Sequence, residues 1–437
     1  MKRKLNFFKV AISLISLHYG LGFLMGTSEA VFNSGLLLGI TYPLSCAAGL
    51  FLLSLISKFY WKKRYPIWIL LGNSFGKTVK DGVCFLSWFW MIGIVASQVV
   101  GASFILGILR VPPNVGAILI IIMISLFSLL PIEKLSNLFL SLLFLNSIGI
   151  VIGISKVALP DTFKLMFLSI PKDFFNKNIL SILGVALPTI FITLLGMDFH
   201  QFIVQAKDPK QAVTGSLIGG LGLTLMTLLP AVITFGAINN KILPPNIDGK
   251  QVIPFVFLYE GEKFGFPFIG KLLVASLLTV ALASGSALTR ILTQTFFDFV
   301  FIPSRWKSKR NILIINALII FFLALTGKTI ISLIVCFYAI YLSGVTIPFI
   351  VYIVQSNRLF YFPKRAVCSS LILGAASSLI ILILSIINAL PAVLNKNLEL
   401  FMILFGIFSS IIALLINLFI VYLVKKFFLK NFLKNLQ

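Results

Sequence analysis

Apolar residues run along this chain in long blocks separated by short polar breaks. The blocks show neither the alternation of strands nor the one-sided periodicity of a surface helix. A helix that crosses a ~30 Å hydrocarbon layer needs about 20 such residues. Twelve blocks qualify, at 8–34, 36–60, 81–109, 114–132, 136–158, 178–206, 210–238, 267–302, 311–327, 329–354, 366–388 and 398–426. The two longest connections, 159–177 and 239–266, fall on one side and leave no room for a separate soluble domain. The pattern predicts an all-α integral membrane protein, with 1–437 a single transmembrane domain.

Composition closes off the other classes. Hydrophobic residues make up 59% and charged residues 11%, against roughly 45–50% and 25% in an ordinary globular domain. A cytosolic enzyme, a disordered chain and a disulfide-rich module are excluded. Of the 36 Lys and Arg residues, 24 fall on the side that carries both termini and 11 on the opposite side, while Arg290 lies inside the eighth block. That asymmetry marks the cytoplasm, so the reading is a bacterial-type inner (plasma) membrane protein with both ends inside. The net charge of +24 then reflects topology and contact with membrane lipids, not nucleic-acid binding. Met1-Lys2-Arg3-Lys4 and the apolar run behind it mimic a signal peptide. The run outlasts an h-region and has no Ala-x-Ala-like site, so it reads as a retained span. Cys46, Cys84, Cys336 and Cys368 are widely spaced and read as small hydrophobes.

Two spans are interrupted. The first contains His18, Tyr19, Gly20, Gly22, Gly26 and Glu29; the sixth contains Gly184, Pro188, Gly196, Asp198 and His200. Proline removes a backbone donor and glycine loosens a helix, so both spans are candidates for local unwinding. They lie five spans apart, which inverts the second unit relative to the first. Matching interruptions in inverted halves point to the midplane site of a secondary transporter.

Leu24-Met25-Gly26-Thr27-Ser28-Glu29-Ala30-Val31-Phe32-Asn33-Ser34-Gly35 resembles the first core helix of the sodium:solute symporters, above all their proline-transporter branch. His200-Gln201-Phe202-Ile203-Val204-Gln205, with Ala206-Lys207-Asp208 after it, is similar to that family's Asn-Gln-Tyr-Ile-Val-Gln…Ala-Lys-Asp segment. Ser286-Ala287-Leu288…Asp298 is similar to its Ser-Ala-Leu…Arg-Asp element. The resemblance spans roughly 20–300 and identifies a divergent member. It implies the LeuT-type fold: five-helix repeats at 8–158 and 178–354, broken helices one and six, and two additional helices over 366–426. It also implies sodium coupling, through carbonyls of the first broken helix and a Ser-Ser/Thr pair on the eighth. That pair falls on Leu282 and Ala283, which carry no side-chain oxygen, so the site looks degenerate; a slip of two residues brings Ser284 and Ser286 in instead.

The intramembrane polar residues supply the remaining candidates. Arg290 either supplies a tethered cation in place of sodium, or snorkels to the inner interface, or pairs with Asp298. His18 either carries a coupling proton or bonds a freed carbonyl. Glu29 is a gate or a proton site, and Asp198 a relay or a gate bond. His200 and Gln201 are gate candidates, while His18, Gly20, Gly22, Ser97, Gln98, Thr193 and Tyr338 are substrate candidates. Asn146, Ser147, Thr189, Tyr341 and Ser343 are weaker versions of the same reading. Gly215 and Gly219 form a packing face of span seven. Two histidines exclude a His-rich metal site, and neither a complete phosphate-cradling Gly-x-x-x-x-Gly-Lys-Ser/Thr loop nor a His-Glu-x-x-His pair occurs.

The resulting expectation is a secondary transporter, not an enzyme, that moves a small-molecule solute, an amino acid for example, by alternating access. Spans one, two, six and seven would rock against a scaffold. No cofactor is expected, and either Na+ or H+ is the coupling ion. A proton-coupled permease of another LeuT-fold family and a non-transporting solute sensor are the alternatives.

Overall fold

The computed structural model describes residues 4–130, 179–263, 265–297, 308–325 and 329–434, with short stretches between 141 and 171. Every predicted span but one coincides with a helix or a broken pair. The exception, 136–158, lies largely outside the described residues. In chain order the helices are α1 (Phe7–His18), α2 (Leu21–Ser34), α3 (Leu36–Lys63), α4 (Ile67–Phe75), α5 (Lys77–Ile108) and α6 (Pro113–Ser128). The second half adds α7 (Ile179–Leu195), α8 (Met197–Val204), α9 (Pro209–Asn239), α10 (Val252–Lys263) and α11 (Pro267–Phe297). It closes with α12 (Lys309–Ala324), α13 (Ile330–Ser356), α14 (Lys364–Ile386), α15 (Ala392–Lys396) and α16 (Leu398–Lys434). Among the described residues, eight helical segments are long and apolar enough to cross a membrane, counting α7 and α8 together as one, and the pair α1–α2, bent by 49°, makes a ninth.

Two connections hold more structure than their polarity suggests. Between the second and third spans, α4 buries Ile67, Trp68, Leu70, Leu71 and Phe75 but has only 9 residues, too few to span. In the connection 239–266, a 3-10 turn at Gly249–Gln251 and α10 fold back over α2.

Lipid tails are as apolar as leucine, so helix association here depends on close packing rather than on escape from water. α13 is the buried axis, with Leu333 to Val345 buried throughout; α14 and α16 pack together against it. Gly215 lets α1 cross α9 closely, since a Cβ there would sit 2.6 Å from the Cβ of Val10. At the crossing of α3 and α7, a Cβ on Gly49 would lie 2.6 Å from Thr193 Oγ1. The Thr193 Cβ would itself lie 2.7 Å away, so a turn about χ1 does not relieve the contact. Gly49→Val is therefore expected to cost about 1–3 kcal/mol, the usual range for overpacking, read as a lowered thermal midpoint in detergent.

Both faces of the bundle are latched. On the face carrying the chain ends, Lys4 and Leu5 N–H donate to Gln205 O at 3.0 and 3.1 Å, and Lys207 N–H donates to Leu5 O at 2.9 Å. Phe7 N–H donates to Gln211 Oε1 at 2.6 Å, and Asn6 caps α1 by accepting from Lys9 N–H at 2.9 Å. On the opposite face, Ser28 Oγ donates to Gly249 O at 3.3 Å and accepts from Thr234 Oγ1 at 2.8 Å. Lys250 Nζ lies 3.0 Å from Glu29 Oε1 and 4.7 Å above the Phe104 ring, while Glu29 Oε2 accepts from Ile330 N–H at 2.9 Å. The carboxylate thus joins α2 to the turn and to the first turn of α13, where the helix dipole favours it.

Candidate functional site

A break in a buried helix strands backbone groups that must be satisfied elsewhere. In the first break, Gly20 is extended, and Leu21 N–H, at the start of α2, donates to Gln98 Oε1 at 2.7 Å. The same oxygen accepts from Ser284 Oγ at 3.1 Å, so one glutamine on α5 ties the first broken helix to α11. In the second break, the freed Leu194 O accepts from Tyr60 OH at 2.8 Å and from His200 Nε2 at 2.7 Å, which fixes that ring nitrogen as the protonated one. Leu195 O accepts from Tyr341 OH at 2.9 Å.

The breaks face each other across a cavity of about 20 Å³, room for roughly one water. Its walls include His18, Gly22 and Phe23 from the first break and Asp198 and Phe199 from the second, with Tyr42, Trp90, Gln98, Leu288 and Tyr338 around them. The His18 ring stacks on Phe199 at 4.4 Å between centroids. Trp90 meets Tyr338 edge-on at 5.6 Å. Three polar atoms in this wall are buried without a hydrogen-bond partner: His18 Nε2, Trp90 Nε1 and Asp198 Oδ1. Buried polar atoms are usually paired, and these three face the same cavity. Asp198 is the only carboxylate among the described lining residues, and the ion pairs among the described residues belong to Lys250 instead.

The predicted residues divide accordingly. His18, Gly22, Gln98, Asp198 and Tyr338 line the cavity, and Gly20 lies beneath the Gln98 amide. Ser97 donates to Ile94 O at 2.7 Å, and Thr193 donates to Thr189 O at 3.1 Å behind α3; neither lines the cavity. His200 stacks on Tyr60 at 3.6 Å, outside the cavity, and Gln201 is half-buried on the same short helix. Asn146 accepts from Tyr19 OH at 3.3 Å, beside the first break. On α11 the inward face carries Ser284 and Leu288, in place of the aligned pair Leu282 and Ala283, which are half-buried; Ser286 Oγ turns back to Ala283 O at 3.1 Å. Arg290 does not line the central cavity: Nη1 donates to Leu130 O at 2.6 Å, toward the face carrying the chain ends. Asp298 lies outside the described residues. The sequence reading missed Tyr42 and Phe199, whose aromatic rings carry no signal within strings of apolar residues, and Lys250, which lies in a connection.

A bundle closed around two such breaks defines a multi-pass membrane protein of the LeuT-type fold. The chain is similar to a substrate-bound, outward-open structure of a Na+-coupled sialic acid symporter, with a TM-score of 0.68 at 15% identity over 94% of this chain and 89% of that one. It is also similar to Mhp1, a nucleobase-cation-symport-1 family transporter in a closed conformation, with a TM-score of 0.56 at 12% identity over 97% and 94%. A manganese transporter of Eremococcus coleocola follows, with a TM-score of 0.52 at 12% identity over 94% of each chain. No family model matches the chain, and no curated protein matches its sequence.

Proposed function

We propose that the protein is a secondary transporter of a small organic solute, of the amino-acid class, working by alternating access in a plasma membrane of bacterial inner-membrane type with both termini in the cytoplasm. The observation that carries this reading is the small cavity at the paired breaks, which holds Asp198 with no cation against it among the described residues. A lone carboxylate at membrane depth needs a proton or a counter-charge before the cavity can close over it. Asp198 is the coupling residue in this reading, and the orphaned Trp90 Nε1 and His18 Nε2 are its complement, facing the solute's acceptor groups. The latches at Gln205 and Glu29 are the inner and outer gates, opened in turn.

Sodium has little to hold it here. Ser284 shares its proton between Gln98 Oε1 and Val280 O at 3.1 and 2.9 Å, and the glutamine amide already spans the gap from α2 to α11. The coupling ion is therefore H+. Purified protein in proteoliposomes is expected to accumulate amino acids or small carboxylates under an inward pH gradient, with no further gain from a sodium gradient. Accumulation that requires sodium would overturn the coupling assignment. Saturable uptake of an amine-bearing solute that only equilibrates, and ignores both gradients, would make the solute's own ammonium the partner of Asp198.

A further inference from the structure

We propose that the pocket around Arg290 is a binding site for a phosphate group, supplied by an anionic phospholipid of the leaflet that faces the chain ends. The pocket is a cavity of about 270 Å³ where the end of α6, the end of α11 and the start of α12 meet, separate from the central site. Arg290 and Lys309 line it together with Gln294 and Thr293, and no described lining residue is acidic. Two cations beside one cavity repel each other unless an anion lies between them. Among the described residues, neither forms an ion pair. Arg290 uses Nη1 on Leu130 O at 2.6 Å, which anchors the guanidinium, and among the described residues its other donors meet no acceptor. The start of α12 adds the positive end of its helix dipole, capped by Ser308, which accepts from Asn311 N–H at 3.1 Å.

Two features favour a lipid over free phosphate. Leu129, Phe297 and Leu313 give the cavity apolar walls that suit a glycerol or acyl segment. The chain also carries Arg305, Lys307, Lys309 and Arg310 together, ahead of a span. Basic clusters beside a transmembrane helix and basic pockets between helices at the cytoplasmic surface are the recurring form of anionic-lipid recognition.

The test uses the full-length protein in neutral detergent. Phosphatidylglycerol, phosphatidylcholine or inorganic phosphate is titrated in, with bound lipid counted by native mass spectrometry and stability read by thermal unfolding. Phosphatidylglycerol is expected to bind saturably and raise the midpoint, while phosphatidylcholine does neither. Arg290→Gln and Lys309→Gln are each expected to weaken binding about five-fold, since a basic residue near an anionic surface contributes about one such step. Lys309 is exposed, so its variant keeps the fold if Arg290→Gln does not. Saturable binding of inorganic phosphate that both variants weaken, without retention of phosphatidylglycerol, would keep the phosphate site and overturn its lipid source. Phosphatidylglycerol binding unchanged in Lys309→Gln, or no anion binding at all, would overturn the site.

Discussion

Asp198→Asn is expected to reduce gradient-driven accumulation by about two orders of magnitude, in line with the roughly 2–5 kcal/mol at stake when a buried charge loses its role. The substitution is nearly isosteric. Asp198 sits in the first turn of α8 and accepts from the Phe199 N–H, a bond that asparagine also makes. The thermal midpoint should therefore stay close to that of the parent, which separates loss of coupling from loss of fold. Exchange of internal for external solute gives the finer readout. If Asp198 carries the proton, the asparagine variant still exchanges solute but no longer concentrates it. If Asp198 pairs with an ammonium of the solute, exchange fails as well. Unimpaired accumulation would remove Asp198 from the mechanism.

The second large effect is expected at the latch between Glu29 and Lys250. Glu29 and Lys250 are both buried, with side chains 4% and 8% exposed, so neither charge is hydrated once its partner is gone. Breaking a buried pair from one side costs about 3–5 kcal/mol. Glu29→Gln and Lys250→Met should each lower the thermal midpoint. The double variant should lose less than the sum of the two, because it leaves no orphaned charge. Asp248, 3.7 Å from Lys250 Nζ but 40% exposed, softens the Glu29 variant without replacing the partner. Strict additivity in this cycle would show that the contact between α2 and the 3-10 turn does not depend on the ion pair.

Much of the architecture is legible in the string of residues, because membrane depth sets a length and forbids unsatisfied backbone. The apolar blocks locate the helices, and His18, Gly22 and Asp198 fall at the two breaks that form the cavity. Three kinds of information were not available. Register on α11 was one: alignment left the pair at Leu282 and Ala283 or, two residues on, at Ser284 and Ser286, and the inward face follows Ser284 and Leu288. Side-chain direction was another, since an intramembrane arginine is equally striped for the centre or the edge, and Arg290 reaches out to Leu130 O. Long-range pairing was the third. Nothing in the 239–266 connection marks Lys250 as the partner of Glu29. Thr193 and Ser97 show the converse: both are polar and buried at the right depth, yet their hydroxyls return to their own helices.

Alternating access itself is tested most directly by counterflow, which requires no driving ion. Proteoliposomes loaded with unlabelled amino acids are diluted into a trace of the labelled solute, and the label inside is followed with time. A transient overshoot above the outside concentration is predicted, reduced in Gly22→Leu, whose side chain would fill the cavity wall beside Ile334. Saturable binding of the solute with no entry of label would contradict transport and leave a membrane receptor that closes over its ligand.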